Sequence, residues 1–190
     1  MRTRISAFCM MLCLLTAQSV SLVSAAEAAE PLTAEWEDMQ SSLEEAGYAG
    51  YDFEPAELPI RIWIPDTLWQ TELTEEDREE GYIGYFENEE AGQAMAVMYV
   101  DMGGMDLEGY IQVLEQGDAT GIRRAQINGM DAVLYDIADE DVAVVSFAVD
   151  GGYNLELSFR PVSDDGFVDR ILYTVFSVRP SEEYGQADDE

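Results

Sequence analysis

Gly121-Ile122-Arg123-Arg124-Ala125-Gln126-Ile127-Asn128-Gly129-Met130-Asp131-Ala132-Val133-Leu134-Tyr135-Asp136-Ile137 is the stretch on which the fold turns. Asn128-Gly129 is the strongest short hairpin signal in the chain, because Asn and Gly tolerate the positive φ values of a type I′ turn. Residues 121–127 and 130–137 are therefore read as two antiparallel strands. Downstream, Asp150-Gly151-Gly152 offers a second turn, between Val142–Val149 and Tyr153–Arg160. The last of these alternates cleanly, with Tyr153, Leu155, Leu157 and Phe159 inward and Asn154, Glu156, Ser158 and Arg160 outward.

Working outward, Asp106 caps a helix carrying Leu107, Tyr110, Ile111 and Leu114 that stops at Gly117. Before it, Gly81–Glu87 and Gln93–Met102 form a hairpin across residues 88–92. Ile60-Arg61-Ile62-Trp63-Ile64 alternates as a strand and is stopped by Pro65. Thr71–Glu80 is a charged loop or short helix. Nearer the amino terminus, Thr33 can cap a helix with Trp36, Met39, Leu43 and Ala46 on one side and Gly47 as its stop. Residues 47–59 read as a linker. Asp164-Asp165 opens a final helix with Phe167, Val168, Ile171, Leu172 and Val175 on its apolar side. Ala94–Val100 and Val142–Val149 are apolar on both faces, which a sheet covered on both sides explains. Runs of hairpins without βαβ units make the class α+β: an antiparallel sheet covered by helices on both faces.

Arg2 and Arg4, the apolar run from Ile5 to Val23, and Val23-Ser24-Ala25 have the layout of a secretory signal peptide cleaved near Ala25. Cys9 and Cys13 leave with it, and Leu12 before Cys13 does not fit a lipoprotein signal. The expected divisions are a signal peptide at 1–25, an acidic helix and linker at 26–57, one α+β domain at 58–179 and a disordered acidic tail at 180–190. About 165 residues suffice to bury roughly two-thirds of the unfolded surface in one domain.

The composition after residue 25 excludes more chemistry than any motif suggests. It holds no Cys, His or Lys, and seven arginines face 40 carboxylates, a formal charge of −33. A Cys nucleophile, a His base, a Schiff-base Lys and His/Cys zinc ligation all lack their residues. Such a charge opposes binding to nucleic acid or anionic membrane. It either keeps molecules apart in solution or steers the protein toward a basic partner.

This layout resembles the PsbP-type fold, shared by the PsbP extrinsic proteins of photosystem II and the DcrB-type bacterial lipoproteins. The features that carry the likeness span roughly residues 55–178. They are a strand ending in Ile64-Pro65 with Trp69 after it, a helix at 106–116 following the first hairpin, the turn within Ile127-Asn128-Gly129-Met130-Asp131-Ala132, and a closing helix with Phe167, Ile171 and Leu172. The chain departs from the DcrB-type lipoproteins in lacking a lipidated Cys, and it shows no photosystem-docking segment. The resemblance implies an accessory or binding protein and transfers no site residues.

Among candidate sites, the acidic clusters come first: Glu75-Glu76-Asp77 with Glu79-Glu80, Glu87 with Glu89-Glu90, Asp139-Glu140-Asp141, and Asp164-Asp165. Clustered carboxylates suit calcium, although none follows EF-hand spacing. Paired carboxylates could run glycoside hydrolysis, for which Trp63 and Trp69 could line a groove. Met98, Met102 and Met105 could hold copper(I), but core filling explains them better. Arg123 and Arg124 point to opposite faces of a strand and form no patch. The expectation is a secreted, monomeric, non-catalytic accessory or binding protein without cofactor or catalytic residues, whose partner is a basic secreted or cell-wall protein. The alternatives are a weak calcium binder and, third, a carboxylate-based hydrolase.

Overall fold

The computed structural model describes residues 31–149 and 152–181. The signal peptide read at 1–25 and nearly all of the acidic tail lie outside the described residues. The strands are β1 (Leu32–Ala34), β2 (Gly50–Phe53), β3 (Ile60–Pro65), β4 (Trp69–Gln70), β5 (Tyr82–Asn88), β6 (Gln93–Asp101), β7 (Ala119–Ile127), β8 (Met130–Ile137), β9 (Val142–Val149), β10 (Tyr153–Arg160) and β11 (Arg179–Pro180). The helices are α1 (Trp36–Ala46), α2 (Glu75–Glu79), α3 (Leu107–Gln116) and α4 (Asp165–Ser177). The class is α+β, as the sequence suggests.

Eight strands form one sheet in the order β1-β7-β8-β9-β10-β6-β5-β4, and β11-β3-β2 form a smaller one. The large sheet is mixed, which corrects the antiparallel expectation. β1 runs parallel to β7, with Leu32 opposite Ala125 and Ala34 opposite Ile127, while the other pairings are antiparallel. Asn128 (φ 49°) and Gly129 (φ 76°) make the tight β7–β8 turn. Alternation along the strands sends Ala132, Val145, Phe147, Leu155 and Leu157 to one face, where all are fully buried. Against that face pack Trp36 and Leu43 of α1, the α4 residues Phe167, Ile171, Val175 and Phe176, and Ile62 and Ile64 of β3.

The segment read as helix and linker is built into this core. Residues 50–53, expected to be linker, pair with β3, and Thr33 lies in β1 instead of capping α1. The N-cap of α1 is Glu35, whose side chain makes no capping bond. The orphan N–H of Trp36 instead donates to the Asn128 side-chain oxygen at 2.6 Å. The Asn128 amide nitrogen in turn donates to the carbonyls of Phe176 (2.8 Å) and Val178 (2.6 Å) at the end of α4. One turn residue thus ties together three distant parts of the chain. At the other end of the domain, Pro180 belongs to β11, and Ser181 N–H donates to the Pro59 carbonyl.

The opposite face of the large sheet is less polar than strict alternation implies. Asn154, expected outward, is buried and donates to Ser146 Oγ at 2.8 Å. Val133, Val144 and Ile111 of α3 are buried as well. Among the described residues no helix is long and apolar enough to cross a membrane.

Candidate functional site

A cleft opens where the β2–β3 connection meets the outer edge of the large sheet. Phe53, at the end of β2, stands edge-on to Phe86 of β5, with ring centroids 5.0 Å apart. Gly84 permits this approach, since a Cβ there would lie 2.9 Å from the Phe86 ring and 3.0 Å from Phe53. The chain then turns through Glu54-Pro55-Ala56-Glu57, forming one wall. Gln70–Leu73, leaving β4, forms the other, and Arg78 of α2 and Ile83 of β5 complete the lining. The cleft, open to solvent, has a volume of about 450 Å³.

Local chemistry holds these walls. Thr74 and Asp77 form a capping box at the start of α2, each side chain meeting the other's backbone N–H. That exchange keeps the exposed Asp77 carboxyl below its usual range, first through the Thr74 hydroxyl and then through the Thr74 N–H. Arg78 donates to the Leu73 carbonyl at 2.7 Å, bracing the wall from within. Across the cleft, Glu54 accepts from Arg61 at 2.7 Å. Asp52 accepts from Arg179 at 3.1 Å and lies 3.7 Å from Arg61, which ties β2 to β3 and β11 within the small sheet. Among the described residues Glu57 and Glu72 make no ion pair. The lining thus combines the buried or half-buried side chains of Phe53, Pro55, Leu73 and Ile83 with the exposed carboxylates of Glu54, Glu57 and Glu72. Between Asp52 and Glu90 the chain carries 13 acids and only Arg61 and Arg78, so this edge is strongly negative.

The acidic clusters singled out in sequence are scattered by the fold. Glu75 to Glu79 form α2, and Glu87 accepts from Thr71 Oγ1 at 2.9 Å. Asp141 accepts from Ser163 Oγ at 2.6 Å beside a 3₁₀ turn at 138–140. Asp164 caps α4, accepting from Phe167 N–H and from Gln93 Nε2 at 2.8 Å. The Gln93 bond leads the effects that lower the Asp164 pKa. Among the described residues no three carboxylates converge where a metal ion could sit. Trp63 and Trp69 share no groove. Trp63 is buried against Tyr173, whereas Trp69 is 59% exposed and, one residue from Gln70, points away from the cleft. Met105 packs against Gly109 at the start of α3, apart from the β6 residue Met98.

Arg123 and Arg124 do face opposite ways. Arg124 binds Glu108 of α3, and Arg123 acts on Asp136, partly offsetting the burial that raises that carboxyl's pKa. Sequence reading missed one polar network. Tyr110 of α3 donates to Glu156 at 2.5 Å, and its oxygen lies 2.9 Å from the Tyr135 hydroxyl. Since the one Tyr110 proton goes to Glu156, Tyr135 supplies the proton of the second bond. Burial, reinforced by the Glu156 charge, pushes Tyr110 well above the ordinary phenol range and Tyr135 up to about 12. Only the alternation of Glu156 with Leu155 and Leu157 hinted that it faces α3.

No family model matches this chain, and no curated protein matches it.

Proposed function

We propose that this is a secreted, monomeric binding protein that takes a basic, extended segment of a partner into the cleft between the β2–β3 connection and α2. The observation that carries this reading is a cleft lining that combines apolar side chains with the exposed carboxylates of Glu57 and Glu72. Lys or Arg suits such a site, because the aliphatic stem covers apolar surface while the charged head stays at a wet carboxylate rim. Long-range attraction from a strongly acidic chain speeds the encounter, and the cleft supplies the location. The fold reading that accompanies it is a PsbP-like sandwich, with α1 and α4 on one face of the sheet and α3 on the other. Its support is that Tyr110 of α3 meets Tyr135 and Glu156, which alternate away from the main core, and that Ile111 beside it is buried.

Titration calorimetry with a Lys/Arg-rich heptapeptide tests the proposal. Replacing both rim acids (Glu57→Gln with Glu72→Gln) is expected to weaken binding about tenfold, in the range of two exposed charge contacts. Replacing two exposed acids of α1 (Glu37→Gln with Glu44→Gln) changes the charge equally and is expected to weaken it much less. Equal losses from both pairs would remove the cleft from the account.

A further inference from the structure

The chain has three asparagines, Asn88, Asn128 and Asn154, and only Asn128 is followed by glycine. Gly129 has no Cβ to crowd the approach of its backbone nitrogen to the Asn128 side-chain carbon, whereas Glu89 and Leu155 crowd that approach at the other two. In the folded protein the Asn128 carboxamide is held from both ends. Its oxygen accepts from Trp36 N–H at 2.6 Å, and its nitrogen donates to the carbonyls of Phe176 at 2.8 Å and Val178 at 2.6 Å. Attack on its carbon requires the carboxamide to turn and its nitrogen to leave, which breaks all three bonds. We propose that Asn128 is a hydrolytic deamidation site that the fold keeps closed, so that a chain left unfolded is chemically retired. The proposal does not depend on the cleft.

The chemistry needs water alone. The Gly129 nitrogen bonds to Asn128 Cγ, the bond from Cγ to Nδ2 breaks, and ammonia departs with the proton that Gly129 gave up. Water then opens the succinimide ring. Addition at Cγ gives aspartate, and addition at the main-chain carbonyl gives isoaspartate, with the chain routed through Cγ. Neither product fits its place. Aspartate turns a carboxylate, which only accepts, toward the Phe176 and Val178 carbonyls in place of a donor. Isoaspartate inserts an extra main-chain carbon into a turn that sets Ile127 opposite Met130 and holds Asn128 at φ 49°. Either way the tie between α1, the turn and the end of α4 is lost. The reaction is slow beside opening and closing of the fold, so its rate follows the population of the open form.

Peptide mass mapping of the purified protein, kept at pH 8 in buffer or in urea, decides the matter. Conversion at residue 128 is expected to be at least ~100-fold slower in buffer, where three hydrogen bonds must break first. In urea, Gly129→Ala sets a methyl group beside the attacking nitrogen and is expected to slow conversion severalfold. The φ of 76° that would strain an alanine in the fold has no bearing there. After dilution from urea, the share of chains regaining the parent melting midpoint is expected to match the share still carrying Asn128, measured against a sample unfolded only briefly. Comparable rates in buffer and urea, no effect of Gly129→Ala, or converted chains that regain the parent midpoint would each overturn the proposal.

Discussion

Asn128 carries more of the fold than its place in a two-residue turn suggests. Its side chain accepts from Trp36 N–H and donates to the carbonyls of Phe176 and Val178. Asn128→Ala strands all three groups and gives up a residue suited to positive φ; at about 1–3 kcal/mol per unsatisfied buried group, a loss of ~3 kcal/mol is expected. For a domain of this size, thermal unfolding would read that as a drop of about 6–12 °C. Asn128→Asp keeps the acceptor but turns a carboxylate toward two carbonyl oxygens, so it is expected to be at least as damaging as the alanine. The buried tyrosine pair makes a different prediction. Tyr135 holds its proton up to about 12 in the folded protein, against 10.0 for an ordinary phenol side chain, and Tyr110 is shifted the same way. The folded state then binds more protons than the unfolded state above pH 10. Stability is fully present below about pH 10 and is lost as the pH rises toward about 12. Tyr135→Phe should flatten that alkaline loss in melts taken between pH 9 and 12; an unchanged slope would separate Tyr135 from it.

At the scale of elements, capping ties sequence to stability. Asp164 caps α4 and also holds Gln93 of β6, so it joins the helix to the sheet. Asp164→Ala is expected to cost ~1 kcal/mol, the usual loss of a side-chain cap. Because its folded pKa is depressed below the ordinary aspartate value of 3.8, its contribution is present above that value and fades as the pH falls below it. The gap between Asp164→Ala and the parent should therefore narrow in melts taken below pH 3.8. This cap was legible in the sequence, as were Asp106 of α3, the Asn128-Gly129 turn and the strands β8, β9 and β10, since each is set by neighbours in the chain. β1 and β2 were not legible. Leu32-Thr33-Ala34 is too short for a period, and its strand character comes from Ala125–Ile127, more than 90 residues away. Gly50–Phe53 was hidden for the same reason, its partner being β3. The cleft inherits that opacity: its walls, 54–57 and 70–73, are brought together by tertiary packing that includes Phe53 against Phe86 and β3 against the core. Side-chain bonds such as Trp36–Asn128 or Tyr110–Glu156 leave no pattern in one sequence.

For the whole molecule the governing quantity is charge. With a formal charge of −31 over the full chain, self-repulsion lowers the stability of the compact state, and added salt screens it. Melting midpoints are expected to rise with NaCl. They should rise alike with CaCl₂ at equal ionic strength, since among the described residues no three carboxylates meet at one point. A saturable increment specific to Ca²⁺ would instead assign the acids to a metal. The acids are spread over α1, α2, the turns and the sheet edges, so charge alone gives a basic partner no address, and the proposed address is the cleft. Amide chemical-shift mapping with a Lys/Arg-rich peptide at 150 mM salt tests this most directly. Shifts confined to residues 53–57 and 70–83, saturating at one peptide per chain, are the expected result. Small, non-saturating shifts over every acidic surface would contradict it.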